Sequence, residues 1–258
     1  MDRSTHDGLI RDQFTRQAIP FSTAAPISDE RALAMIVAAG HPGPDDSVLD
    51  LACGGGLIVC AFAPLVRHAT GIDLTPAMLE RARALAAEKG LTNVEWRQGD
   101  VRALPWPDGS FDIVVTRFSF HHFQDPRGAL REMARVCRPG GRVVVVDMFA
   151  SEDAAKAAAW NRLEVLRDPS HVRSLGLSEL TGLFPAVGLP EPDVTFYELR
   201  GEVRSLLARS FPLPGDAERI TALFAAQAER DTLGIEVRRD GEALRYAYKV
   251  AILAARLG

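Results

Sequence analysis

Between residues 48 and 146, short apolar runs alternate with stretches whose apolar positions recur every three or four residues. The runs at 48–51, 69–73, 94–97, 111–115 and 143–146 read as strands. The last is continuous and β-branched, which suits a central strand covered on both faces. The stretches between them read as helices. One runs from 57 to about 65. The next has Thr75 as N-cap, Pro76 at its first position and Gly90 as its stop. A further helix begins at Asp125-Pro126 and is expected to end at Pro139-Gly140-Gly141.

Outside this region the rhythm changes. Leu9, Ile10, Phe14, Gln17 and Ala18 share one helical face until Pro20 interrupts the pattern. A second helix starts at Ser28 or Asp29 and stops near Gly40. Residues 1–45 therefore read as a helical arm or lid. Beyond Asp147, helical stretches at 154–165 and 177–187 lead into an extended segment at 193–199. Helices at 203–210 and 217–230 follow, then a last strand at 248–254. Strands alternating with helices imply an α/β fold with a Rossmann-like, doubly wound sheet. The expectation is a mostly parallel sheet of about seven strands over 46–258. Insertions at about 150–177 and 200–240 would cap its carboxyl edge.

Composition narrows the function without defining it. With 258 residues and 47% hydrophobic content, the chain can build one such domain with a sizeable core. A net charge of -4 and the lack of any Lys/Arg run give no general attraction to nucleic acid or anionic membrane. No apolar window reaches the roughly 18 residues of a membrane span. The polar start at residues 1–7 lacks the apolar stretch of a secretory signal. Cys53, Cys60 and Cys137 have no metal-ligand spacing, so buried thiols in a cytoplasmic, metal-independent protein are expected.

The chemistry gathers at Leu49-Asp50-Leu51-Ala52-Cys53-Gly54-Gly55-Gly56. A glycine-rich turn between a first strand and a first helix lets a ligand approach the backbone without Cβ clashes. Asp73, about 20 residues further on at the end of the second strand, can accept hydrogen bonds from ribose hydroxyls. A nicotinamide fingerprint would need a small third residue where bulky Val59 stands. Asp50, on the strand before the turn, would repel a pyrophosphate but can receive a cationic amino group.

This segment resembles motif I of the class I methyltransferases that use S-adenosylmethionine (SAM). Residues 72–79 resemble their second motif, Gly99-Asp100-Val101 through Ser110-Phe111-Asp112 the segment before the fourth strand, and 130–146 the following helix and strand. The ubiquinone/menaquinone-biosynthesis-like subgroup (methyltransferase type 11) is the nearest group. The resemblance implies SAM as cofactor and S-adenosylhomocysteine as product. It implies that the backbone around Ala52, Gly54 and Gly56 holds the methionine portion and that Asp73 binds the ribose. Leu74 and Met78 would pack on the adenine, Asp100 would accept from its amino group, and Val101 would add a backbone contact. Arg117 would face the methionine end. Phe14, Gln17 and Phe21 are expected to fold over the cofactor as a lid.

The strand end Thr116-Arg117-Phe118-Ser119 lacks the Asn/Asp-Pro-Pro-aromatic motif of nucleobase and protein-amide methyltransferases, which favours a small-molecule acceptor. If the acceptor must lose a proton, histidine suits the task. His171, between Asp168 and Arg173 in the expected cap, is the foremost candidate base. Of His121-His122, the second is expected to face the pocket and the first to be structural, because neighbouring side chains on an extended segment point oppositely. A non-catalytic SAM-binding module and a nicotinamide-dependent oxidoreductase are the competing functions. The acceptor and the oligomeric state stay open.

Overall fold

The computed structural model describes residues 2–258. Two helices, α1 (Arg3–Ser22) and α2 (Glu30–Gly40), precede the first strand. Helix α1 runs through Pro20 instead of stopping before it. The proline lies in the last turn, where one lost backbone bond costs little, and the Thr23 amide still closes onto the Ile19 carbonyl at 3.1 Å. Asp29 caps α2 by accepting from the Ala32 amide at 2.7 Å.

The parallel half of the sheet holds β1 (Ser47–Leu51), β2 (His68–Asp73), β3 (Val94–Gln98), β4 (Phe111–Arg117) and β5 (Cys137–Met148). Helices α3 (Leu57–Phe62), α4 (Pro76–Glu88) and α5 (Pro126–Val136) make the crossovers. Helix α5 stops at Val136, and Pro139-Gly140-Gly141 lies within β5. Helices α6 (Ala154–Arg167) and α7 (Leu177–Leu183) then lead into β6 (Asp193–Glu202). After α8 (Val203–Ser210) and α9 (Asp216–Glu229), β7 (Glu236–Asp240) and β8 (Ala243–Arg256) form a hairpin.

The strand order is β3-β2-β1-β4-β5-β8-β6, with β7 pairing β8 off this path. β8 is antiparallel to both β5 and β6. The sheet therefore has eight strands: the expected seven in continuous order and β7 as an extra edge. The sequence of β7, Glu-Val-Arg-Arg-Asp, is mostly exposed and carries no apolar alternation to announce a strand.

Val143 to Val146 explain why the sheet is covered on both sides. Val144 and Val146 pack in one core with Val48, Phe62 and Ile36, while Val143 and Val145 pack in the other with Leu49, Leu130 and Met133. Each such side chain, fully buried, is worth about 1.5–3 kcal/mol relative to exposure. The chain leaves β1 toward β2 and β3, then returns to β4 on the other side of β1. The crevice outside the carboxyl ends of β1 and β4 is thus the place where ligands bind in open α/β sheets. No helix among the described residues is long and apolar enough to cross a membrane.

Candidate active site

The turn after β1 is shaped by backbone that side chains resist. Ala52 and Gly54 have φ of 51° and 50°, and Gly56 has 82°. Gly54 is anchored by its amide, which donates to Asp73 Oδ2 at 2.9 Å. The other oxygen of Asp73 accepts from the Thr75 amide at 2.8 Å. One carboxylate thus ties the glycine turn to the start of α4. A Cβ on Gly54 would meet only Met78 Sδ at 3.9 Å, so this glycine opens onto space. Gly56 does not border that space. A Cβ there would come within 2.8 Å of Ala82 Cβ and also strike Trp96, so its role is close packing of α3 on α4.

A cavity opens at this turn, bordered by Asp50, Ala52, Gly54, Asp73, Leu74 and Met78 among others. Two buried ionic side chains face it with polar atoms unused. Asp50 Oδ1 has no hydrogen-bond partner, nor do Arg117 Nε and Nη2; Arg117 Nη1 donates to the Ile27 carbonyl at 2.9 Å. Burial, reinforced by the Asp73 carboxylate and only partly opposed by Arg117, pushes the Asp50 carboxyl well above its ordinary range. An α-amino acid zwitterion supplies what both lack: an ammonium for Asp50 and a carboxylate for Arg117. The methionine part of SAM is such a group, and the residues fit it. Beside Arg117, Phe118 adopts φ of 56°, a conformation costly for a bulky residue, and its ring lies 4.5 Å from the guanidinium carbon.

Asp100 and Val101 border the far end of the cavity. Both oxygens of Asp100 already accept from Arg102 Nε at 2.8 Å, and Arg102 Nη2 reaches Asp7 of α1 at 2.6 Å. The carboxylate expected to meet the adenine therefore also fastens the arm across the opening.

A second, smaller cavity shares Phe14, Phe21, Ile27, Phe118 and His122 with the first. Gln17 lies in the wall of this second cavity, with Nε2 3.5 Å from Asp168 Oδ2, and not in that of the cofactor cavity. Of the expected lid residues, Phe14 and Phe21 reach the first cavity and Gln17 does not.

His122 borders the pocket as expected, whereas His121 does not turn away from it. Residues 120–122 form a short 3-10 turn, not an extended segment, so both His121 and His122 turn inward and border the second cavity. His121 Nδ1–H donates to Asp147 Oδ1 at 2.7 Å, which leaves Nε2 as the basic nitrogen. Burial opposes charge on His121, but Asp147, aided by Glu164, outweighs it and holds the imidazole above its ordinary pKa. His122 Nδ1–H donates to the Ser170 carbonyl at 3.0 Å, and Phe14 meets its ring edge-on at 5.1 Å between centroids. Burial and the adjacent His121 push His122 down to about 4, so it is neutral at pH 7.

His171, the foremost base candidate from sequence, borders neither cavity. Its Nε2 is 2.8 Å from Asn161 Oδ1, its Nδ1 is buried without a partner, and burial beside His121 and His122 drives its pKa far down. It supports the wall from behind. The His121–Asp147 pair was not singled out from the sequence, and neither were Arg167 and Arg209, which line the second cavity.

A reversal of strand order with a glycine bend, the Asp73 carboxylate that anchors it and the buried Asp50 and Arg117 at its rim fits the class I SAM-dependent methyltransferase fold. The family described as methyltransferase domain matches residues 49–145. The YcgJ protein of Bacillus subtilis (strain 168), named an uncharacterized methyltransferase, is 36% identical over 243 residues, 93% of this chain and 96% of its own. The crystal structure of YcgJ superposes with a TM-score of 0.79 at 35% identity, covering 88% of this chain and 98% of that one. A Bacillus halodurans C-125 protein superposes at 0.81 with 27% identity, covering 88% and 98%. The UbiE C-methyltransferase of Shewanella frigidimarina (strain NCIMB 400) is 38% identical over 115 residues, 43% of this chain and 45% of its own. The chain belongs to this methyltransferase family, and its cofactor is SAM.

Proposed function

We propose that the protein methylates a small organic acceptor held in the second cavity while SAM occupies the first. The shared wall carries this reading: Phe14, Phe118 and His122 border both cavities, so two ligands can abut there. When bound, SAM supplies an electrophilic methyl group on a sulfonium. Asp50 and Arg117 would hold the ammonium and carboxylate of its methionine part, and Asp73 the ribose hydroxyls. Leu74, Met78 and Val101 would enclose the adenine, with Asp100 at its amino edge.

Alignment in a dry site is most of what such a displacement needs. The rings of Phe14, Phe21 and Phe118 exclude water at the junction. His121 takes the proton of the acceptor as its new bond to carbon forms, and Asp147 fixes the tautomer that can do so. S-adenosylhomocysteine leaves as the second product. UbiE is named for ubiquinone/menaquinone biosynthesis, and a rice relative over 48% of this chain is named a probable tocopherol O-methyltransferase. Both names, and the net charge of -4, support a small molecule over nucleic acid.

The test is production of S-adenosylhomocysteine from SAM with fractions of a small-metabolite extract. A productive fraction is expected. His121→Asn should then slow turnover about 10²-fold or more with S-adenosylhomocysteine affinity unchanged. Tight cofactor binding with no turnover on any fraction would make the protein a binding module instead.

A further inference from the structure

The second cavity contains a buried cation without an ionic partner. Arg209, in the last turn of α8, is 8% exposed and lines this cavity. Its guanidinium makes two hydrogen bonds, both to uncharged oxygens: Nη1 to the Ser205 carbonyl at 3.3 Å and Nη2 to the Tyr246 hydroxyl at 3.1 Å. No carboxylate among the described residues lies within 4.0 Å of it. The contrast is Arg167, in the same wall, whose Nη2 and Nε donate to Glu164 Oε2 at 2.6 and 2.9 Å.

Asp168, the carboxylate in this wall, is already satisfied by other groups. Its Oδ1 accepts from the Ser170 amide at 2.9 Å and hydroxyl at 2.6 Å, and its Oδ2 faces Gln17. The carbonyls ending α8 offset part of the charge on Arg209, which makes the cation tolerable without a partner. They do not use its remaining N–H donors, of which a guanidinium has five in a planar fork suited to a carboxylate. Met148, Leu199, Leu206 and Phe118 give the wall an apolar part, beside the uncharged polar side chains of Gln17, Ser210 and Tyr248.

We infer that the methyl acceptor is a small carboxylic acid with an apolar body, its carboxylate seated on Arg209 and its nucleophilic atom directed to His121 and the cofactor. The inference rests on the second cavity being the acceptor site. One cation with a single planar fork suits a monoanion; a phosphate ester would bring more charge than Arg209 can balance. The buried carboxylate gains charge-assisted hydrogen bonds in a low-dielectric site, and an uncharged analogue leaves the cation bare.

The experiment uses the full chain saturated with S-adenosylhomocysteine. Calorimetry compares benzoate, cinnamate and octanoate, each with its primary amide. The acids are expected to bind about tenfold or more tightly than their amides. Arg209→Gln should bring each acid to the level of its amide without changing S-adenosylhomocysteine affinity. Arg209→Lys, which keeps the charge at the end of α8, should retain part of the preference. Equal binding of acids and amides, or binding of neither, overturns the inference while cofactor affinity is intact. Failure of S-adenosylhomocysteine to bind would overturn the methyltransferase reading itself. A preference for acids that survives Arg209→Gln would place the carboxylate elsewhere and also defeat the inference.

Discussion

His121 Nδ1 and Asp147 Oδ1 lie 2.7 Å apart in a buried pair, and the second oxygen of Asp147 accepts the His121 backbone amide at 3.0 Å. The carboxylate therefore fixes ring and backbone together, as a group that orients a general base does. Because Asp147 holds the His121 pKa above its ordinary value, the unprotonated base becomes available only as pH rises past that point. Activity should climb with pH through an apparent pKa above about 6.5. Asp147→Asn removes the cause of the shift, so the rising limb should move to lower pH while kcat falls. A pH profile of kcat/KM for both proteins checks this; an unmoved limb would assign it to another group.

Asp50 gives a second pH signature, in binding. Its carboxyl is raised by burial first and by Asp73 next, and a bound ammonium would pull it back down. Cofactor binding should release protons, and affinity should increase with pH until the free carboxyl is fully ionised. Calorimetry of S-adenosylhomocysteine in buffers of different ionisation enthalpy measures the release. Asp50→Asn should abolish it and weaken binding.

Asp73→Ala should weaken SAM binding by roughly 1–3 kcal/mol. The loss has two parts: the ribose contact and the two backbone anchors at Gly54 and Thr75. Asp73→Asn keeps one acceptor oxygen and should fall between. Equal affinity in all three proteins would put the ribose elsewhere.

The arm is seated by Gly55 as much as by any side chain. A Cβ there would collide with Ser22 at the end of α1. Gly55→Ala should lift the arm, speed dissociation of S-adenosylhomocysteine and expose residues 2–22 to protease. Adding Ser22→Gly should restore much of the seating. Stopped-flow release and limited proteolysis read the two effects separately.

His122 predicts the acid limb of stability. Unfolded, it takes up a proton near 6.5; folded, it does so only near 4. Between those values the unfolded chain binds more protons, so stability falls as pH falls, by at most about 1.4 kcal/mol per unit from this group. His171 acts in the same direction. His121, with its raised pKa, is charged in both states below about 6.5 and adds no slope there. His122→Gln should flatten the decline in melting temperature between pH 6.5 and 4.

The parts legible in sequence were those set by local pattern. The glycine turn, Asp50, Asp73 and the valine run of β5 each follow from a few adjacent residues and a known periodicity. His122 borders the pocket as its pattern suggests, but strand alternation points His121 the wrong way because β4 ends at Arg117, before the pair. The chain enters a 3-10 turn at Phe120, and only the fold shows that Asp147, on the next strand, waits for His121. Gln17 shares a helical face with Phe14, and that pattern does not tell which of two adjoining cavities each side chain borders. Arg209 had no sequence signal, since an arginine near a helix end is ordinary until its surroundings prove to lack a counter-charge.

Phe14 sits in the partition between the two cavities and belongs to a helix fastened at Asp7, Gln13 and Ser22. Swinging that one helix outward would open both cavities at once, because a single ring belongs to the wall of each.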